Sequence, residues 1–232
     1  MVAPWLLRMR WLDLLFAHWP MDPDALRAVV PPALELDTFE GRGWLGVVPF
    51  TMANVGPRGI PAFPGFDRFP ELNVRTYVRH RGEPGVWFLS LDARSWPTVR
   101  GARFVFHLPY VHARMRSRRD GELVRYLSVR DDPERPPARF EATYRPTGPI
   151  ATAAAGTFDD WATNRMRLFS ADKAGRIWRA AIDHPRWPLQ PADGEVDASE
   201  LVAVHGLQLP DDPPRLLFAE RLDVHGWAPV RD

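Results

Sequence analysis

The sequence predicts a mainly β (α+β) fold: one domain over residues 1–232, built as an antiparallel, barrel-like or conical sheet with a few peripheral helices. Three observations predict it. Proline supplies 25 of the 232 residues, about twice its ordinary share of about 5%. It clusters at residues 31–32, 57–70, 133–137, 185–191 and 210–214, at intervals too short for long helices, because proline fixes φ and removes a backbone donor. Between the clusters lie short runs rich in β-branched and aromatic residues, the composition of strands. There is no internal repeat. The linkers are too short and interleaved to divide the chain, which is long enough for a sizeable core.

The first candidate element, residues 5–16, is greasy, but Arg8, Arg10 and Asp13 interrupt it well short of the roughly 20 apolar residues that span a bilayer. It also lacks the uninterrupted apolar core and small-residue cleavage site of a secretory signal. It reads as a buried strand or mixed segment, in a protein whose default compartment is the cytoplasm. Residues 22–30 predict a helix, with Asp22 as N-cap, Pro23 at the first helical position and Pro31-Pro32 as the stop. Strands are expected at residues 44–55, 72–80, 85–93, 110–118, 123–130, 139–145, 176–183 and 216–224. Within 72–80, Leu72, Val74, Thr76 and Val78 share one face, and Asn73, Arg75, Tyr77 and Arg79 the other. Arg114, Arg116 and Arg118 likewise share a face opposite Met115. Further helices are expected at 158–168, where Trp161 and Arg165 stand one turn apart, at 98–106 despite Gly101, and at 199–204.

Composition excludes several functions. A formal charge of +1 gives no electrostatic footprint for nucleic acid, and there is no membrane span. The absence of cysteine excludes disulfides, thiolate chemistry and thiolate-held zinc or iron–sulfur clusters. Lys173 is the sole lysine among 30 basic side chains. Arginine cannot form the imine that a desolvated lysine can, so imine chemistry is restricted to Lys173 or the N-terminal amine. Residues 170–175 read as a polar turn, a solvated place for that lysine. Phosphate-binding, dinucleotide-binding, nucleophile-elbow and zinc-helix motifs are all missing. No histidine pair has zinc spacing, because Pro109 separates His107 from His112. No metal or cofactor is expected.

Two segments carry candidate chemistry. On the strand reading Glu71, Asn73 and Arg75 line one face. Turned inward, they form a carboxylate, an amide and a guanidinium able to bind a small carboxylate through Arg75 and move protons through Glu71. Turned outward, they are a solvated face, and alternation alone favours the outward arrangement. In residues 101–114, Arg103, His107 and Tyr110 punctuate an apolar stretch, either as a pocket wall with a Tyr or His acid/base or as core with satisfied polar tips. Trp187 reads as a core or loop anchor.

Four stretches, Leu14-Leu15-Phe16-Ala17-His18-Trp19-Pro20, Phe69-Pro70-Glu71-Leu72-Asn73-Val74-Arg75-Thr76-Tyr77, His107-Leu108-Pro109-Tyr110 and Trp187-Pro188-Leu189-Gln190, resemble the uncharacterised YqjF-like family, DUF2071. The resemblance is collinear over nearly the whole chain, including residues 34–39 and 46–50. It brings no activity with it. More distantly the chain resembles the acetoacetate decarboxylase-like proteins, which implies a conical antiparallel β-barrel around a closed apolar cavity. In that resemblance Phe69-Pro70-Glu71 is similar to an aromatic-x-Glu stretch whose glutamate faces the cavity. Where those proteins carry the Schiff-base lysine after a Gly-Phe-Pro stretch, this chain has Tyr110 and Val111 after Pro109.

Three functional expectations follow. The first is a small-molecule enzyme, lyase-like or hydrolase-like, acting on a keto acid or carboxylate without a Schiff-base lysine. Glu71, Tyr110 and His107 would be its acid–base groups, and Asn73, Arg75 and Arg103 its substrate-binding groups. The second is a non-catalytic barrel that binds a small molecule. The third is a structural or interaction protein with a filled interior. An exposed sheet edge is compatible with a homodimer in each case.

Overall fold

The computed structural model describes residues 4–60 and 68–232. Pro61 and Pro64, from the second proline cluster, lie outside the described residues. The elements run β1 (Leu7–Met21), α1 (Pro23–Val29), β2 (Glu35–Leu36), β3 (Gly43–Pro57), β4 (Arg68–His80), β5 (Glu83–Ala93), α2 (Trp96–Val105), β6 (Tyr110–Asp120), β7 (Leu123–Arg130) and β8 (Arg139–Pro146). They continue with α3 (Phe158–Thr163), β9 (Arg167–Ala171), β10 (Ile177–Asp183), β11 (Gln190–Asp197), α4 (Ser199–Ala203), β12 (Arg215–Gly226) and β13 (Val230–Arg231). The fold is mostly β, as expected. None of its described helices is long and apolar enough to cross a membrane.

The strands form one hydrogen-bonded system in the order β13-β10-β9-β5-β6-β7-β8-β11-β12-β1-β3-β4-β2, with additional pairings β10–β12 and β5–β4. Those two pairings close a circuit that runs β1-β3-β4-β5-β9-β10-β12 and back to β1. Not every ladder is antiparallel. β5 pairs in parallel with β6 (Leu91↔Tyr110) and with β9 (Val86↔Leu168). Parallel neighbours need a crossover rather than a hairpin, and α2 lies within the connection from β5 to β6.

β1 is buried on both faces. Leu15 and Ala17 belong to a core shared with Leu72, Val74, Met115, Tyr126, Phe140 and Phe218. Leu14 and Phe16, on the opposite face, join Phe50, Phe69 and Trp187. The strands β1, β3 and β4 are thus a shared wall. One side is packed solid by β6, β7, β8 and α4, and the other side faces the closed circuit. A register shift between Leu12 and Ala17 in β1 accompanies Asp13 at φ 51°, where its carboxylate pairs with Arg119 at 2.8 Å.

The helices follow their caps. Asp22 accepts from the Asp24 amide and Pro23 opens α1. The helix expected at 158–168 is cut short: α3 ends at Thr163, and residues 167–171 pair with β5 and β10 as β9. Its last turn is capped by its own sequence, since Thr163 Oγ1 donates to the Asp159 carbonyl and Arg165 Nε to the Trp161 carbonyl. β11, which the sequence does not announce, pairs with β8 over Ala192–Asp197 and with β12 at Gln190 and Pro191.

Candidate functional site

The closed circuit surrounds a cavity of about 290 Å³ whose wall is largely aromatic and aliphatic, including Phe16, Phe50, Phe69, Phe88 and Trp187. β4 supplies three of its polar groups. Phe69, Glu71, Asn73 and Arg75 stand at alternate positions, and all four line the cavity, as the two-residue period of a strand requires. This overturns the outward arrangement favoured by alternation. Leu72 and Val74 on the other face are committed to the filled core, so β4 has no solvated side and its polar face is the inward one.

Glu71 is 3% exposed. Burial in apolar surroundings penalises the carboxylate and pushes its pKa from an ordinary 4.5 up to about 8, against the opposing pull of a hydrogen bond from Tyr110. Tyr110 Oη donates to Glu71 Oε2 at 3.1 Å, and burial first, then Glu71, hold the phenol well above its usual range. At neutral pH the pair is therefore a neutral carboxylic acid beside a neutral phenol. Tyr126 reaches through from the filled core, donating to the backbone carbonyls of Glu71 (2.8 Å) and Phe50 (3.2 Å). That contact fixes the strand positions that present Glu71.

Four residues along β4, about 13 Å at the rise of a strand, stands Arg75. Its guanidinium lies 5.3 Å from the Phe16 ring and 5.7 Å from the Tyr77 ring. Nη2 donates to the Ala162 carbonyl at 3.4 Å, and Nε is buried without a partner. Among the described residues no acidic side chain forms an ion pair with it. Asn73 is 7% exposed and its Oδ1 is likewise unpartnered. Behind Arg75, His18 is fully buried with Nε2 2.5 Å from Tyr77 Oη. Burial, then Arg75 and Arg215, hold that imidazole neutral.

Three cavity groups were not singled out as site residues by the sequence reading. Arg165 lines the cavity and pairs with Asp37 at 2.6 Å, leaving Nη2 buried and unpartnered. Trp11 lines it with an unpartnered Nε1. His184 lines it with Nδ1 2.8 Å from the Pro185 carbonyl, its pKa lowered chiefly by burial. The Trp161–Arg165 spacing was the available signal for Arg165, but it reads as a helix surface. Conversely, Arg103 and His107 are not among the residues lining the cavity. Arg103 pairs with Asp132 at 2.5 Å and Glu134 at 3.3 Å and donates from Nε to the Tyr110 carbonyl. His107 sits at φ 52° with its ring 5.0 Å from that of Trp178. Lys173 is exposed in the turn between β9 and β10. Among the described residues no three His, Asp or Glu side chains are grouped as metal ligands.

Residues 8–223 match the sequence profile of DUF2071, described as an uncharacterized conserved protein. The chain belongs to the DUF2071 family. This DUF2071 chain is also 42% identical over 227 residues to the uncharacterized protein YqjF of Bacillus subtilis (strain 168), spanning 98% of this chain and 92% of that one. Its fold is similar to the enduracididine biosynthesis enzyme MppR complexed with pyruvate, with TM-score 0.68, 11% identity and coverage of 100% of this chain and 91% of MppR. It is also similar to acetoacetate decarboxylase from Legionella pneumophila subsp. pneumophila str. Philadelphia 1, with TM-score 0.65, 16% identity and coverage of 100% and 92%. At such identities the likeness is one of fold, and function has to be argued from the site.

Proposed function

We propose that this DUF2071 protein is a small-molecule enzyme, lyase-like or hydrolase-like, which acts on a keto acid or carboxylate by acid–base and electrostatic catalysis without a Schiff-base lysine. The closed strand circuit is read here as the conical barrel of the acetoacetate decarboxylase-like proteins. The observation that carries the proposal is the buried Glu71–Tyr110 pair facing the same cavity as the unpaired Arg75. An acid with a pKa near 8 holds its proton at pH 7 yet releases it at modest cost, the condition for efficient proton transfer in both directions. Glu71 gives a proton to a substrate oxygen or carbanionic carbon and takes it back as the carboxylate. Tyr110 stabilises that carboxylate by its hydrogen bond, and Arg75 holds the substrate's anionic group. MppR is described with bound pyruvate, but Arg75, rather than that fold likeness, is the reason for choosing a carboxylate.

The test is to incubate the protein with 2-keto and 3-keto acids in D2O and follow deuterium exchange and product formation by proton NMR. Turnover that disappears in Glu71→Gln is expected, and full activity in that variant removes Glu71 from the mechanism. The second reading, a binding barrel without chemistry, is favoured by the mostly apolar wall and by the placement of Arg103 and His107 outside it. It predicts a raised melting temperature with these acids and no product.

A further inference from the structure

The cavity wall is mostly apolar, with a few polar side chains set in it, Arg75 and Arg165 among them. Two guanidinium groups in its lining neighbour the same ring. Arg75 and Arg165 lie 5.7 Å and 5.1 Å from the Tyr77 ring, and they donate to consecutive carbonyls of α3, Ala162 and Trp161 respectively. The one carboxylate that pairs with either is Asp37, among the described residues, and it is shared with Arg79. Arg75 Nε and Arg165 Nη2 are buried donors without acceptors. With Asp37 shared between Arg79 and Arg165 and, among the described residues, no carboxylate paired with Arg75, positive charge is in excess here and favours an anion.

From there a run of rings leads away. Arg75 lies over Phe16, Phe16 meets Trp187 edge-on at 4.8 Å, and Trp187 stacks on Trp11 at 5.7 Å. Glu71 is four β4 residues from Arg75, and the Arg75 guanidinium lies between the Phe16 and Tyr77 rings. A dry apolar cavity of about 150 Å³ holds benzene, so 290 Å³ suits a ligand of roughly twelve non-hydrogen atoms by the same measure.

We propose that the cavity takes an elongated amphipathic monocarboxylate of the arylalkyl type, its carboxylate held between Arg75 and Arg165 and its apolar body along Phe16, Trp187 and Trp11. Arg165 is thus a second anion ligand. This deepens, and rests on, the carboxylate reading above.

The test is calorimetric titration of the full chain at pH 7 with three probes: 3-phenylpropanoate, its neutral isostere 3-phenylpropanamide, and acetate. The acid is expected to bind at least tenfold more tightly than the amide, and acetate at least a hundredfold more weakly than the acid. Arg75→Met and Arg165→Met should each remove most of the acid's advantage over the amide. Arg165→Met strips a partner from buried Asp37, so a folding failure there is checked by near-UV circular dichroism. Arg75→Met breaks no ion pair and carries the test alone if needed. Equal affinity for acid and amide, acetate binding as well as the longer acid, or no binding by either phenyl probe overturns the proposal. Turnover of a short keto acid alongside any of these results leaves the catalytic role of Glu71 standing. Tight, arginine-dependent binding without turnover of any acid leaves the clamp standing and removes the catalysis.

Discussion

Glu71 imposes a pH dependence on folding that follows from its position alone. In the unfolded chain it titrates near 4.5, and in the cavity near 8. Between those values the folded protein binds one more proton than the unfolded chain, so stability falls as pH rises. The contribution is fully present below pH 4.5, declines through the interval and levels off above pH 8. Each pH unit between the two values is worth about 1.4 kcal/mol, so the whole interval amounts to about 5 kcal/mol and the span from pH 5 to pH 7 to about 3 kcal/mol. Glu71→Gln keeps the shape and an acceptor for Tyr110 but cannot ionise. Urea unfolding of both proteins from pH 5 to pH 9 isolates this contribution, because all other titrating groups are common to the pair. The wild type should lose stability relative to Glu71→Gln with rising pH, by several kcal/mol at pH 8.5. Parallel curves would mean that Glu71 has the same proton affinity folded and unfolded, contrary to its burial.

Other substitutions probe the frame around the site. His205 Nε2 lies 3.1 Å from Ser90 Oγ, and burial, then Arg130 and Arg135, lower its pKa to about 4. Its stabilisation is present above pH 6.5 and lost as pH falls towards 4. His205→Gln should therefore spare about 2 kcal/mol of acid destabilisation in denaturation at pH 4.5, after allowance for the ring's partial exposure. Arg130→Met leaves Asp92, 1% exposed, without the guanidinium whose Nε donates to it at 2.9 Å. A loss of about 3–5 kcal/mol is expected at neutral pH, shrinking in acid as Asp92 protonates, and denaturant midpoints at pH 5 and pH 8 measure both. A Cβ at Gly85 would stand 2.6 Å from the Phe169 ring and 2.8 Å from the Arg167 carbonyl. Gly85→Ala should thus cost about 1–3 kcal/mol by forcing β5 away from β9, read as a lower melting temperature. Lys173→Ala, in an exposed turn, should change stability by less than about 0.5 kcal/mol and leave ligand-induced thermal shifts intact. A lost shift would bring that lysine back into the chemistry.

Much of the fold is legible in the sequence because proline and glycine punctuate it locally. The strand at Leu123–Arg130 and the helix opened by Asp22 and Pro23 follow from patterns within ten residues. β9 and β11 do not, because their strand character comes from partners distant in the chain. Leu168 is extended because β5 lies beside it, and the Gly194 segment, rich in exposed charge, is held by β8. The same limit applies to the site. The period of two puts Glu71, Asn73 and Arg75 together, but their direction depends on Leu72 and Val74 being covered by β6–β8, which no local pattern encodes. Arg103 read as a pocket group because it stands in an apolar run. The nearby Asp132 and Glu134 are its actual partners. Arg165 reads as one turn of helix beyond Trp161, and only the early end of α3 swings it into the cavity.

Acid–base chemistry at Glu71 requires that the cavity hold this carboxylic acid in its neutral form at physiological pH. A carbon-13 NMR titration of protein labelled at the glutamate side-chain carboxyl reads this directly. One resonance is expected to titrate near pH 8 and to be absent in Glu71→Gln. If the resonance lost in Glu71→Gln titrates instead below about pH 5.5, within the normal spread for a glutamate, Glu71 is ionised at neutral pH and the acid–base role assigned to it is wrong.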